Sequence, residues 1–144
     1  MKYLLDTCAW LDALLAPEKL SLQAREVFSS PERLALSSIS LIEFSRKAAY
    51  PRATEDDIIL SVDPEKFLAH IALPPEKIKI QPITASIALA AYRLPDNLTF
   101  RGKPHKDPAD LIITATARLH GFTVLTSDRV LLDYPHLNTL NSRG

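Results

Sequence analysis

The run KPHKDPADLIITATARLHGFTVLTSD, Lys103 to Asp128, leaves the fold little freedom, because it compresses a helix, a strand and three aspartates into one stretch. Asp107 before Pro108 is a helix start. Aspartate is a good N-cap acceptor, and proline is tolerated at the first helical position, where its missing N–H has no intrahelical partner to lose. Asp110 then falls in the first turn. Leu111, Ile112, Ala115 and Leu119 recur at helical spacing on one side and Asp110, Thr114 and Ala117 on another, and Gly121 is placed to end the helix. FTVLT follows as a strand, and Ser127 and Asp128 close it. That sets a carboxylate at the carboxyl end of a strand, where open α/β sheets build their sites.

The rest of the chain alternates in the same way. Tyr3 to Leu5 is an apolar run too short for a helix and bounded by Asp6 and Thr7, which suits a strand buried on both faces. CAWLDALLA carries Trp10, Leu11, Leu14 and Leu15 at helical spacing up to Pro17, and Trp10 with its leucines belongs to the core or to an interface. SLQAREVFSS reads as a second helix and RLALS as a second strand. That strand runs into a helix over SSISLIEFSRKAAY, with Leu41, Ile42, Phe44 and Ala48 inward and Glu43 in its first turns. YPRATEDDIILSVD reads as irregular, DPEKFLAHIAL as a helix started by Asp63 and Pro64, KIKIQPI as a strand and TASIALAAYRL as a helix. LPDNLTFRGKPHK is a loop by its Pro, Gly and Asn content, RVLLDY a short helix and LNTL a last strand. Strands alternating with helices predict an α/β fold, a mainly parallel central sheet with helices on both faces.

At 144 residues and 47% apolar content the chain matches one domain, residues 1–144, able to bury its own core. Seventeen basic residues balance seventeen acidic ones, so no global field draws a polyanion, and such binding has to come from local patches or bound cations. Cys8 is the single cysteine and has no partner for an internal disulfide. It also lacks an identifiable base, which favours a packed thiol over a nucleophile. No run approaches membrane-spanning length without a charge or proline, and the reading is a cytoplasmic protein with no membrane partner.

Each carboxylate has a local explanation. Asp6 and Asp128 stand where they cap the helices that follow them, Asp107 is an N-cap, and Asp110 sits where a helix dipole favours negative charge. Glu43 with Ser40 fits the capping-box pattern S-x-x-E. Taken together they read differently. In a doubly wound sheet the carboxyl ends of strands share one edge, and Asp6, Asp128 and the helix start bearing Asp110 gather there. Clustered carboxylates repel unless a cation offsets them, and oxygen-only donors suit Mg²⁺ or Mn²⁺. Such an ion activates water and stabilises a phosphodiester under in-line attack.

The ordered set LLDT at Leu4 to Thr7, SLIEF at Ser40 to Phe44, HKDPADLIITATA at His105 to Ala117 and VLTSD at Val124 to Asp128 resembles the PIN-domain ribonucleases, and among them the VapC-type toxins of bacterial toxin–antitoxin pairs. The resemblance spans nearly the whole chain. It implies a PIN-like nuclease domain, a metal site of Asp6, Glu43, Asp110 and Asp128, and Thr7, Asp107 and Ser127 supporting it by hydrogen bonds. It further implies metal-dependent endoribonuclease activity with water as nucleophile, an RNA substrate, inhibition by a cognate antitoxin, and a homodimer. Arg101, Lys103, His105 and Lys106 then become candidates for substrate contact, as phosphate binders that position RNA without reading its sequence. Ala109 and Leu111 depart from the subgroup, which usually has a large residue and a basic one there.

Other classes fit less well. A haloacid-dehalogenase-like phosphatase wants an aspartate two positions after Asp6, where Cys8 stands. A receiver domain wants an aspartate ending a central strand, and RLALS ends in serine. A non-catalytic PIN-like binding module, in which the acids act only as caps, is separated from the nuclease by its indifference to divalent metal.

Overall fold

The protein was analysed as a computed structural model that describes residues 1–49, 63–94, 99–100 and 102–144. The irregular reading of YPRATEDDIILSVD falls almost wholly outside the described residues, as does Arg101. Strand β1 (Tyr3–Leu5) leads into α1 (Thr7–Leu15), and α2 (Leu22–Ser29) into β2 (Leu34–Ser37) and α3 (Ser38–Ala49). After α4 (Pro64–Phe67) come β3 (Ile78–Gln81), α5 (Ala85–Arg93) and two short strands, β4 (Thr99–Phe100) and β5 (Lys103–Pro104). The chain ends with α6 (Pro108–His120), β6 (Thr123–Thr126), α7 (Arg129–Leu132) and β7 (Thr139–Asn141).

Five strands form one sheet in the order β3-β2-β1-β6-β7, and every neighbouring pair is parallel. The order reverses beside β1. From β1 the chain moves outward through β2 and β3, then returns to β6 on β1's other side. The register fixes the two faces. Leu4 lies opposite Ala35 and Val124, and Leu5 opposite Leu36 and Leu125. Leu4, Ala35 and Val124 pack with Ile113 and Ala117 of α6 and with Phe122. Leu5, Leu36 and Leu125 face the other way, against Trp10, Ala24, Phe44 and Phe67. Helices thus cover both faces, and the alternation of side chains along each strand does the sorting.

Trp10 is core. It is 1% exposed, meets Phe44 edge to face at 6.0 Å, and donates its indole N–H to the Ala72 carbonyl at 3.2 Å, so the interface alternative for this residue falls. Phe44 stacks in turn on Phe67 at 5.0 Å. Ile42, expected inward, is instead open to solvent, and so is Leu119. Ile42 is 52% exposed and Leu119 53%, because α3 turns Phe44, Leu41 and Ala48 inward, whereas α6 aims Ile113 and Ala117 at the sheet and Ala115 at Ile87 and Ala91 of α5. Gly121 takes the left-handed conformation, φ 70°, and ends α6 as the sequence predicts.

Three local readings change. The expected loop Leu94–Lys106 contains an antiparallel pair, β4 with β5, turned at Gly102 with φ 76°. The helix expected over DPEKFLAHIAL is capped by Asp63 but passes from α4 into a wider π-type turn at Leu68–Ala72. Ser40 and Glu43 form no capping box, since α3 starts at Ser38 and Ser40 already lies within its first turn.

Trp10→Ala is expected to cost about 3–5 kcal/mol, the range for truncating a buried aromatic, through the cavity beside Phe44. Urea denaturation measures it, and a loss below about 1 kcal/mol would mean that the indole is not a core side chain.

Candidate metal centre

Two strand ends and two helix starts build the site. Asp6 follows β1 and Asp128 follows β6, and because those strands pair directly, two residues far apart in sequence emerge side by side at the point where the sheet order reverses. Both also cap helices. Asp6 Oδ1 accepts the Thr7 N–H at 2.8 Å, and Asp128 Oδ1 accepts the Val130 N–H at 2.8 Å. Capping and clustering are therefore not alternatives, since each cap engages one carboxylate oxygen and leaves the other.

A hydroxyl that the sequence reading passed over ties the two together. Thr126, fully buried as the last residue of β6, donates to Asp6 Oδ2 at 2.6 Å and accepts the Asp128 N–H at 3.0 Å. The neighbouring Ser127 instead lies 3.4 Å from Cys8 Sγ. Thr7 donates to Glu43 Oε1, and its hydroxyl is 2.8 Å from that of Ser40, so α1 and α3 are joined at the site. Threonine at the end of a strand is a common β-favouring choice, which is why nothing in the sequence singles out Thr126.

Asp110 comes from the first turn of α6, is buried, and lies 2.7 Å from His105 Nε2 through Oδ2. Asp107, exposed, caps the same helix through Oδ1 and the Ala109 N–H at 3.0 Å. Donor atoms of His105, Asp107 and Asp110 all fall within 4.8 Å of one another. Lys103 and Lys106 are exposed near this corner, and Arg101 lies outside the described residues.

The electrostatics bind the acids into one field. Burial pushes the Asp6 carboxyl above the usual carboxylate range, against the hydrogen bonds from Thr126 and Thr7 that favour its ionised form, and the charge of Asp128 raises it further. Burial also raises Glu43, with Asp6 and Asp107 adding to the effect. Asp110 is pushed up to about 7, by burial first and then by the charges of Asp6, Asp107 and Asp128, despite the His105 hydrogen bond. No Lys or Arg side chain forms an ion pair with these acids among the described residues. Cys8 is pushed up to about 12 by burial and the Asp6 charge, so it is a protonated thiol and no nucleophile. Asp6, Glu43, Asp110 and Asp128 are thus linked through their charges, Asp6 and Asp110 buried and Glu43 and Asp128 half-buried, whereas the donor atoms that lie within 4.8 Å of one another are those of His105, Asp107 and Asp110. Carboxylate oxygens are donors that fit a hard divalent ion.

The raised carboxyl of Asp110 carries a sign. Its folded-state pKa, about 7, exceeds the unfolded value of about 3.9, so the folded chain binds this proton more tightly. Its stabilising contribution is present below the unfolded pKa and is lost as pH rises through about 7. In chelator, the melting temperature is expected to fall between about pH 4 and pH 7, and Asp110→Asn is expected to flatten that slope. A wild-type slope matching that of Asp110→Asn would remove Asp110 from the account.

Comparison with known proteins agrees with this architecture. The PIN domain profile matches residues 3–137. Ribonuclease VapC22 of Mycobacterium tuberculosis is 33% identical over 120 residues, which cover 83% of this chain and 82% of that protein. Among solved structures, VapBC2 from Rickettsia felis, bound to a DNA fragment from its promoter, superposes with a TM-score of 0.70 at 21% identity over 99% of both chains. FitAcB from Neisseria gonorrhoeae superposes with a TM-score of 0.68 at 24% identity over 96% of both. These two likenesses speak for the fold. No helix among the described residues is long and apolar enough to cross a membrane. Matched along most of its length by the family profile and by a relative of one-third identity, the chain belongs to the PIN domain family.

Proposed function

We propose that this chain is a metal-dependent endoribonuclease and the toxin member of a type II toxin–antitoxin pair, with residues 1–144 acting as one PIN-like nuclease domain. The observation that carries the reading is the convergence of Asp6, Glu43, Asp110 and Asp128 in one mutually repelling field at the reversal point of the sheet. The ribonuclease named among its relatives supports the RNA substrate. The VapBC and FitAcB assemblies among its structural neighbours motivate an antitoxin partner. A homodimer and a cytoplasmic location complete the proposal.

In this account the four acids would hold Mg²⁺ or Mn²⁺, which when bound would supply a water of lowered pKa and offset charge on the phosphodiester. Thr126 and Thr7 orient their acids. Thr126 holds Asp6 Oδ2, and Thr7 holds Glu43 while giving its backbone N–H to Asp6 Oδ1. Asp107 and Ser127 support from the periphery, Asp107 by starting the helix that presents Asp110 and Ser127 by packing on Cys8. Arg101, Lys103, His105 and Lys106 are the candidates for phosphate contact, of the kind that would fix the register of the RNA strand.

The caps favour one competing reading, a binding module whose acids only start helices. RNA cleavage assayed with and without chelator separates the two. The nuclease stops in chelator and recovers with added Mg²⁺ or Mn²⁺. Asp6→Asn, which still caps well, is expected to fold normally and lose cleavage by more than about 100-fold, beyond the loss usual for an outer-shell partner. An active Asp6→Asn protein would sink the proposal.

Thr126→Val removes the hydroxyl but keeps the shape, leaving Asp6 Oδ2 and the Asp128 N–H without this partner. Metal affinity is expected to fall about 10–100-fold, while Thr126→Ser stays near the parent. Calorimetric titration with Mn²⁺ checks this, and equal affinities for the two variants would deny Thr126 an orienting role.

A further inference from the structure

His105 brings an imidazole to a site otherwise made of oxygen donors. It follows β5 directly and is half-buried at the mouth of α6, with Nε2 2.7 Å from Asp110 Oδ2. A donor oxygen of Asp107 shares the same small volume, all three donor atoms lying within 4.8 Å of one another. Asp107 Oδ1 is turned back to the Ala109 N–H, so the orientation of this carboxylate is set by the helix it starts.

We infer that His105 is a nitrogen donor beside Asp110, and that it shifts the ion preference of this site from Mg²⁺ toward borderline first-row transition ions such as Co²⁺. The inference rests on the ion-binding reading proposed above and deepens it. Two arguments carry it. The first is distance. A separation of 2.7 Å is a hydrogen bond, yet it is also close to the spacing of two adjacent donors at right angles around an ion with bonds of about 2.1 Å, which is about 3 Å. A cation can therefore replace the bridging proton with only a small shift of either side chain. The second is donor chemistry. An imidazole nitrogen favours Co²⁺, Ni²⁺ and Zn²⁺ along the Irving–Williams order, whereas Mg²⁺ prefers oxygen and holds its waters. A histidine that merely oriented Asp110 would strengthen all divalent ions alike.

The test uses the full-length protein and two metals. Titration calorimetry with Co²⁺ and with Mg²⁺ is run on the wild type and on His105→Gln, which retains a hydrogen-bond donor for Asp110 but has no imidazole. Co²⁺ affinity is expected to drop about tenfold or more in the variant, with Mg²⁺ affinity changed by less than about twofold. Proton NMR of the Co²⁺-loaded wild type is expected to show a hyperfine-shifted, exchangeable imidazole N–H that is missing from His105→Gln. Equal losses for both ions, or no loss of Co²⁺, would overturn the inference. Should the variant fail to fold, a Co²⁺-loaded wild type without any shifted imidazole N–H overturns it equally. A wild type that binds neither ion instead defeats the ion-binding reading itself, so the two failures are distinct.

Discussion

The parallel pairing of β1 with β6 is the contact on which the rest depends. Tyr3, Leu4 and Leu5 lie opposite Thr123, Val124 and Leu125, which brings the beginning of the chain against a strand more than 100 residues away. This pairing makes β1 central, with β2 on its other side, and it defines the reversal of strand order. It also brings Asp6 and Asp128 to the same edge. The site is in this sense a by-product of topology, because the crevice between parallel strands whose connections lead away to opposite sides is where loops part and a ligand can enter.

Concentrating carboxylates at that crevice works against stability, and the surrounding structure is organised to hold them nonetheless. Burial and mutual repulsion raise Asp6, Glu43 and Asp110, yet each is held by a hydrogen-bond partner from a different element: Thr126 from β6, Thr7 from α1, His105 from the segment after β5. Helix starts contribute further, since Asp6, Asp107 and Asp128 each satisfy a backbone N–H. Mutually repelling carboxylates of this kind are the groups whose ionised form a nearby cation favours. Another buried acid, Asp12, is treated differently. Arg143 meets it with two hydrogen bonds, 2.7 and 2.9 Å, neutralising its charge and fastening the end of the chain to α1. The contrast is instructive, because an acid with a structural role has a guanidinium while the acids of the crevice have none among the described residues.

Much of this was legible from residues in a row. The Asp-Pro start and Gly121 stop of α6, the short apolar strands, the alternation of strand and helix, and the positions of Asp6 and Asp128 at strand ends, Asp110 in a first helical turn and Glu43 in the early turns of α3 all follow from capping, backbone preference and hydrophobic period, which act between neighbours. The ordered motifs also carried the resemblance to the PIN domain. Local signals overreached in two places. The S-x-x-E pattern at Ser40 and Glu43 mimics a capping box, but β2 passes directly into α3 and both side chains turn instead to Thr7. The loop composition around Gly102 concealed a short hairpin.

Tertiary structure alone decided the partners. The strand order 3-2-1-6-7, the burial of Trp10 against Phe44 rather than at a surface, the exposure of Ile42 and Leu119, the double role of Thr126 and the His105–Asp110 contact depend on which faces meet across the sheet. A helical period reveals that a face is apolar and leaves open which of several apolar residues is innermost, since that is set by the curvature of the sheet and by the helix packed behind it. In the same way, sequence can assign a carboxylate to the end of a strand, but the hydroxyl or imidazole that holds its second oxygen comes from another part of the chain and is chosen by folding.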